Sequence, residues 1–178
     1  MHLNRSNLYT FIDEFNENKI LNLPINCNVI IRNYNKKIDF ETIIKVKKIC
    51  KKNRLNLFLA NNPKLALRAN LDGVYIPSFN KSLNLNNFRN SRKKFTILGS
   101  AHNISEIKFK ERQGVNLIFL SPIFLTKNYQ NSLGIVKFNL MSKTTRKSLV
   151  ALGGIRKNNV NKLKMINAVG ISGITFFN

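Results

Sequence analysis

The chain has 178 residues, a hydrophobic fraction of 43% and a formal net charge of +22. Its length is that of a single domain, residues 1–178, which is large enough to bury a hydrophobic core. The hydrophobic fraction is close to that of ordinary globular proteins and argues against disorder. No run approaches the roughly 20 apolar residues of a membrane-spanning helix, and the polar start lacks a signal-peptide core, so we expect a cytoplasmic protein. Cys27 and Cys50 lie outside any CxxC or Cys/His cluster and are expected to be reduced core or edge residues.

Short apolar runs rich in β-branched residues alternate with longer amphipathic stretches along the whole chain. Such near-continuous apolar runs are typical of parallel strands that are buried on both faces. The predicted strands, in chain order, are Leu8–Asp13, Asn28–Arg32, Asn56–Ala60, Gly73–Pro77, Phe95–Gly99, Asn116–Ser121, Ser148–Leu152 and Ile171–Phe176.

The stretches between the strands have helical spacing. Asp39 is a plausible N-cap of the helix that follows it, and Gly114 is a stop signal for a later helix. The predicted helices are Asn16–Asn22, Asp39–Asn53, Ser82–Asn90, Asn103–Gln113, Ile135–Lys147 and Arg156–Asn167. Eight strands alternating with helices predict a compact (β/α)8 TIM-type barrel with shortened helices and no eighth helix, and an open doubly wound sheet is the alternative.

The positive charge is spread along the chain among asparagine and isoleucine residues, which indicates a general basic bias rather than a dedicated nucleic-acid surface. Phenylalanines lie inside apolar runs and do not form stacking platforms, so we expect no specific nucleic-acid partner and no membrane partner. A positive field attracts phosphate-bearing small molecules. The apolar end of the last strand is a surface that a second subunit of a homodimer could cover.

Polar residues follow the predicted strands at the end where barrel active sites are built. Gly153 and Gly154 sit at a strand-to-helix turn, where main-chain N–H groups can approach an anion and a helix N-terminus adds a favourable dipole. Thr126 and Lys127 are suited to binding phosphate oxygens. Arg32 ends an apolar strand, so we expect a ligand or a carboxylate beside it. His102 follows the fifth strand, where capping and catalysis are both open roles.

Three strings in register carry a family resemblance: Ser100-Ala101-His102-Asn103, Leu120 through Lys127, and Ala151-Leu152-Gly153-Gly154-Ile155. In that order, at these strand ends, they resemble the thiamine phosphate synthase and thiazole tautomerase superfamily. Ser-Ala-His and Ser-Pro-x-Phe-x-Thr are similar to a shorter, divergent branch of it.

The resemblance implies an enzyme of thiamine biosynthesis that joins hydroxymethylpyrimidine diphosphate to thiazole phosphate with Mg²⁺ and releases pyrophosphate. It implies that Arg32, Lys127 and Ser100 are catalytic. It also implies substrate binding by a larger set: Asn61, Asn62, His102, Ser121, Thr126, Gly153, Gly154, Ile174 and Thr175.

Several positions depart from the family pattern. Of the family's Gln-x-Arg-x-Lys, only Arg32 is retained, and Tyr34 stands in place of the lysine. The two Mg²⁺ carboxylate positions are Asn62 and Asn80, and amides are weaker ligands for a hard dication, so we assign no metal ligand. Ser121 replaces the tautomerase histidine. A divergent relative that binds or isomerises a thiamine-related phosphate, without Mg²⁺-diphosphate chemistry, is therefore the alternative function.

Overall fold

The computed structural model describes residues 7–34, 38–89, 92, 94–126 and 131–173. Its strands are all parallel, and each pairs with the next along the chain. Pairing of the last strand with the first, through Leu8 with Ile171 and Tyr9 with Ser172, closes the barrel. The strands are β1 (Leu8–Ile12), β2 (Asn28–Ile31), β3 (Asn56–Ala60), β4 (Gly73–Ile76), β5 (Thr96–Ala101), β6 (Leu117–Leu120), β7 (Ser148–Leu152) and β8 (Gly170–Ser172). The predicted TIM-type barrel is confirmed, and the open sheet is not what forms.

Helices lie between the strands. They are α1 (Glu17–Leu21), α2 (Phe40–Lys52), α3 (Pro63–Arg68), α4 (Asn86–Arg89), α5 (Ile104–Arg112) and α6 (Gly134–Ser142), followed by a 3₁₀ helix, Val160–Met165. The Asp39 carboxylate caps α2 by accepting from the main-chain N–H of Thr42 at 2.7 Å. None of the helices in the described ranges has the length and apolar content that a membrane span requires.

Three predicted helices differ from the observed ones. The predicted helix Arg156–Asn167 is wrong: residues 157–159 form a turn, and only the 3₁₀ helix follows. The Asn159 side chain accepts from the Arg156 N–H at 2.9 Å and donates to the Gly154 carbonyl at 2.8 Å, so it completes the turn where an α-helix would begin. The predicted helix Ile135–Lys147 is shortened to α6, which ends at Ser142, and the predicted helix Ser82–Asn90 begins later, at Asn86 of α4, while Asn90 lies outside the described residues.

Helix α3 was not predicted from the sequence. Its signal is present, because Asn62 caps the helix and Pro63 occupies the first turn, the position that proline prefers. The predicted strand Ile171–Phe176 is described only up to residue 173, and its remainder lies outside the described residues.

Successive side chains along each strand point alternately outward and into the barrel, which divides the core into two layers. Side chains that point outward pack under the helices, and the inner layer is Tyr9, Phe11, Ile30, Phe58, Tyr75, Leu98, Phe119 and Val150. The rings of Tyr9 and Phe119 meet edge to face at 4.9 Å, and those of Tyr75 and Phe119 at 5.4 Å. These rings fill the barrel interior, so the open space lies above them, at the carboxyl ends of the strands.

Candidate functional site

A cavity of about 780 Å³ opens at the carboxyl ends of the strands. Parallel strands all end at the same face of a barrel, which is why residues far apart in sequence meet there. The residues predicted from the sequence that line this cavity are Arg32, Ser100, His102, Ser121, Thr126, Gly153 and Gly154. Arg156 adds a second guanidinium, and the described lining residues include no carboxylate. The cavity is therefore suited to an anion.

Arg32 follows β2 and binds a carboxylate. Of the two expected partners, a ligand or a carboxylate, the structure therefore shows the second. Its Nε donates to Asp13 Oδ1 at 2.9 Å and its Nη2 to Asp13 Oδ2 at 3.2 Å. Its guanidinium also lies 4.7 Å from the centre of the Phe11 ring. Burial lowers the pKa of Arg32, but the hydrogen bond and charge of Asp13 outweigh it and the net pKa is raised. Asp13 occupies two of five N–H donors, so the charged group is oriented at the cavity wall.

Ser100 lies near the carboxyl end of β5 and is hydrogen-bonded to the side chain of Tyr75 on the neighbouring strand. Burial raises the pKa of Tyr75, so this phenol is protonated throughout the physiological range. The pair connects the floor of the cavity to the aromatic inner layer.

His102 and Ser121 come from adjacent strands and contact each other. Nδ1 of His102 lies 3.0 Å from the Ser121 carbonyl oxygen and 3.2 Å from its hydroxyl. A carbonyl can only accept, so this contact places a proton on Nδ1, and in the neutral ring Nε2 is then an acceptor. The main-chain N–H of His102 donates to Glu106 at 2.8 Å, and Asn103 caps α5. His102 is therefore held by its neighbours, as a positioned cavity residue rather than a helix cap.

Gly153 and Gly154 both have positive φ, +95° and +70°. A Cβ on Gly154 would lie 2.5 Å from the carbonyl oxygen of Phe124, and one on Gly153 would lie 2.9 Å from Pro122. The two glycines therefore let the turn after β7 pack directly against the loop after β6. Main-chain bonds join them, since Phe124 N–H donates to the Gly153 carbonyl at 3.1 Å. The predicted helix dipole is absent from this turn in the described residues, because no α-helix starts there.

Asn61 and Asn62 follow β3, and they are not among the described residues that line the cavity. The Asn62 side chain caps α3 by accepting from the Leu65 N–H at 3.1 Å. Asn80 donates from Nδ2 to Asn61 Oδ1 at 2.7 Å, and its Oδ1 accepts from the Ser82 N–H at 2.9 Å. These amides bind one another and the main chain.

The donor set at these positions does not fit Mg²⁺. The Mg²⁺ that the resemblance implies would need hard, preferably anionic oxygens, and the amide oxygens of Asn61, Asn62 and Asn80 already accept N–H groups. Within the described ranges, no three His, Cys, Asp or Glu side chains are grouped to hold a metal ion.

Three predicted site residues, Lys127, Ile174 and Thr175, lie outside the described residues. Three cavity residues were not predicted as site residues from the sequence: Arg156, and Tyr34 and Phe79, whose rings meet edge to face at 5.3 Å. Their position in the chain could have identified them, because each lies within four residues of the end of a strand. Cys27 and Cys50 are buried free thiols, as expected.

Comparison with known proteins gives the same assignment as the residues. Residues 27–177 match the family model for thiamine monophosphate synthase. A thiamine-phosphate synthase of Prochlorococcus marinus is 37% identical over 134 residues, which are 73% of this chain and 37% of that protein. One of Pelagibacter ubique is 30% identical over 141 residues, 75% of this chain and 66% of that protein. The chain thus spans little more than a third of the first relative.

The structure of a thiamine phosphate pyrophosphorylase from Pyrococcus furiosus superposes with a TM-score of 0.75 at 17% identity, covering 96% of this chain and 86% of that one. At this identity the superposition shows the shared barrel. The family match covers most of the chain, including the glycine pair and the loop after β6. The chain belongs to the thiamine monophosphate synthase family.

Proposed function

We propose that this chain is a thiamine-phosphate synthase-type enzyme, which binds phosphorylated pyrimidine and thiazole compounds at the carboxyl face of its barrel. The observation that carries the proposal is the composition of the cavity wall. Arg32 and Arg156 supply positive charge, Ser100, Ser121 and Thr126 supply hydroxyl donors, and no described lining residue is acidic. Such a wall stabilises phosphate groups and disfavours cationic ligands.

The glycine pair supports the position of a phosphate group. The turn at Gly153–Gly154 lines the cavity together with Arg156 and with Thr126, whose Cγ2 would lie 3.7 Å from a Cβ on Gly153. Arg32 lies on another part of the wall, where Asp13 orients it. The arrangement suits a substrate pair with phosphate groups at separate positions.

In the proposed condensation, the thiazole nitrogen forms a bond to the pyrimidine's methylene carbon, the bond from that carbon to the diphosphate oxygen breaks, and negative charge develops on the departing pyrophosphate. Arg32 is the oriented cation available to stabilise that charge, and hydroxyl groups from neighbouring strands add donors. Ser100 and Tyr75 hold the floor on which an aromatic ring would lie. No step is assigned to a metal ion, because the donor set does not fit one.

The direct test is product formation. Purified protein is mixed with hydroxymethylpyrimidine diphosphate and thiazole phosphate, with and without Mg²⁺, and thiamine phosphate is measured. Product that depends on Arg32, shown by its loss in Arg32→Ala, supports the synthase. Absence of product at every metal concentration contradicts it.

A second candidate is favoured by the three amides Asn61, Asn62 and Asn80: a relative that binds a thiamine-related phosphate without the diphosphate chemistry. Thiazole phosphate should then raise the melting temperature, while Mg²⁺ and diphosphate add nothing. The variant Asn62→Asp/Asn80→Asp should gain Mg²⁺-dependent stabilisation. Asn26→Asp is the matched control, since it makes the same change in the loop before β2, at the opposite end of the barrel.

A further inference from the structure

Lys110 on α5 is a fully buried lysine, whereas the other lysines within the described ranges largely face solvent. Space for its stem comes from Gly99 on β5, where an added Cβ would lie 3.0 Å from Cδ of Lys110. Lysine is almost never fully buried unless its ammonium is paired or hydrogen-bonded. The burial of Lys110 therefore needs a compensating interaction.

The ammonium finds three acceptors. Nζ donates to the Pro77 carbonyl at 2.7 Å, to the Asn80 carbonyl at 3.2 Å and to Gln113 Oε1 at 2.7 Å. A protonated lysine has three N–H donors, so donors and acceptors match in number. All three acceptors are uncharged, so the positive charge is solvated by dipoles, as a bound cation would be.

Gln113 completes the arrangement. Its Nε2 donates to the Asn80 carbonyl at 3.0 Å and to the Ser82 carbonyl at 2.7 Å. Together the side chains of Lys110 and of Gln113, the C-cap of α5, bind three main-chain carbonyls of the segment Pro77–Ser82, which we name the β4 loop. This loop is neither helix nor strand, and its residues Pro77, Ser78 and Phe79 line the cavity.

We propose that Lys110 is a positioning residue: its buried ammonium acts as an internal cation that orders the β4 loop and so shapes one wall of the cavity. The effect on ligand affinity rests on the proposed phosphate site, whereas the ordering of the loop can be measured without any ligand.

The same contacts make the order of the loop depend on pH. The pKa of Lys110 is lowered to about 8, mainly by burial and also by the charge of Lys81 on the loop, against which the charge of Glu106 on α5 acts. Above this pH the neutral amine has two N–H donors for three acceptors. One of these acceptors then loses the N–H of Lys110, and the contacts that hold the loop through Lys110 and Gln113 are weakened.

The absence of tryptophan from the chain allows a clean reporter. Phe79→Trp places one indole on the β4 loop, and its fluorescence anisotropy is followed from pH 6.5 to 9.5. We expect high anisotropy that falls with a midpoint near pH 8. In Phe79→Trp/Lys110→Met the anisotropy should be low throughout, with no titration. Lys137→Met, which removes an exposed lysine of α6, is the matched control and should titrate like the parent.

An anisotropy that is unchanged by Lys110→Met, or a Phe79→Trp protein that shows no transition near pH 8, would overturn the proposal. The second result needs no Lys110 variant, so a failure of that variant to fold leaves the test intact. Thiazole phosphate affinity should fall roughly fivefold in Lys110→Met if the ordered loop is a minor state there. If the unmodified chain binds no thiazole phosphate, the proposed function fails, while the anisotropy result still decides the role of Lys110.

Discussion

Gly154 lies against the main chain of the loop after β6, and replacing it with alanine tests whether that contact shapes the cavity. The new Cβ would lie 2.5 Å from the Phe124 carbonyl oxygen and 2.6 Å from that of Leu125. Ordinary contacts are about 3.5 Å, so one of the two segments must move by about 1 Å. Both neighbours are main-chain atoms, which cannot rotate away as a side chain can.

Two costs add in Gly154→Ala. The φ of +70° places an alanine in the left-handed region, at about 1–2 kcal/mol. Overpacking against main chain adds about 1–3 kcal/mol. Gly134→Ala is the matched control, because its φ of +64° carries the same strain while its Cβ meets nothing within 4 Å. The difference between the two variants isolates the contact with the loop.

The assay is urea unfolding followed by circular dichroism, together with calorimetric titration of thiazole phosphate. We expect Gly154→Ala to lose about 2–5 kcal/mol in free energy of unfolding, and Gly134→Ala about 1–2 kcal/mol. Affinity should fall only in Gly154→Ala, because the displaced loop carries Thr126. Equal stability and equal affinity in the two variants would refute the argument that this turn and this loop form one wall.

The remaining predictions concern other groups. Arg32→Lys should weaken binding of hydroxymethylpyrimidine diphosphate about tenfold, since lysine cannot keep both bonds to Asp13; Arg68→Lys, which alters an arginine over the Phe40 ring outside the cavity, should not, and equal losses would contradict the role of Arg32. Cys27 and Cys50 should resist a thiol reagent at pH 8 in the native protein and react in urea, because burial raises the pKa of both thiols to about 12; fast native reaction would show the thiols to be accessible. From pH 7 to 9, the free energy of unfolding should rise by about 1 kcal/mol relative to Lys110→Met, and a difference that is flat or falls with pH would contradict the lowered pKa.

The barrel was predictable because its signals are local. Near-continuous apolar runs placed all the strands, and two of them, Asn56–Ala60 and Ser148–Leu152, have the predicted bounds. The prediction of a helix after β7 was wrong because it rested on amphipathic spacing alone. The Asn159 side chain closes the turn there and competes successfully with the helix. Spacing alone does not report where a side chain competes with the helix for main-chain donors.

The cavity was predictable in part for the same reason. Arg32, Ser100, His102 and the glycine pair lie at strand ends, so topology brings them together. Lys110 could not be found this way, because it lies on an amphipathic helix between two exposed basic residues, Lys108 and Arg112. Its burial depends on the absence of a side chain at Gly99 on β5, and only the packed structure brings β5 and α5 into contact.

Deprotonation of Lys110 should change global stability and local order in opposite directions. The pKa of Lys110 is about 8 in the folded chain, and in the unfolded chain it has the ordinary lysine value of 10.5. Between these pH values the unfolded state binds more protons, so the free energy of unfolding rises with pH. The raised pKa values of Cys27 and Cys50 act oppositely above pH 9, because the folded chain then keeps protons that the unfolded chain releases, and Lys110→Met as reference removes their contribution. Over the same range the β4 loop loses a donor. An anisotropy that falls while the unfolding free energy rises is therefore expected only if the buried ammonium is the group that holds the loop, since general alkaline unfolding would lower both.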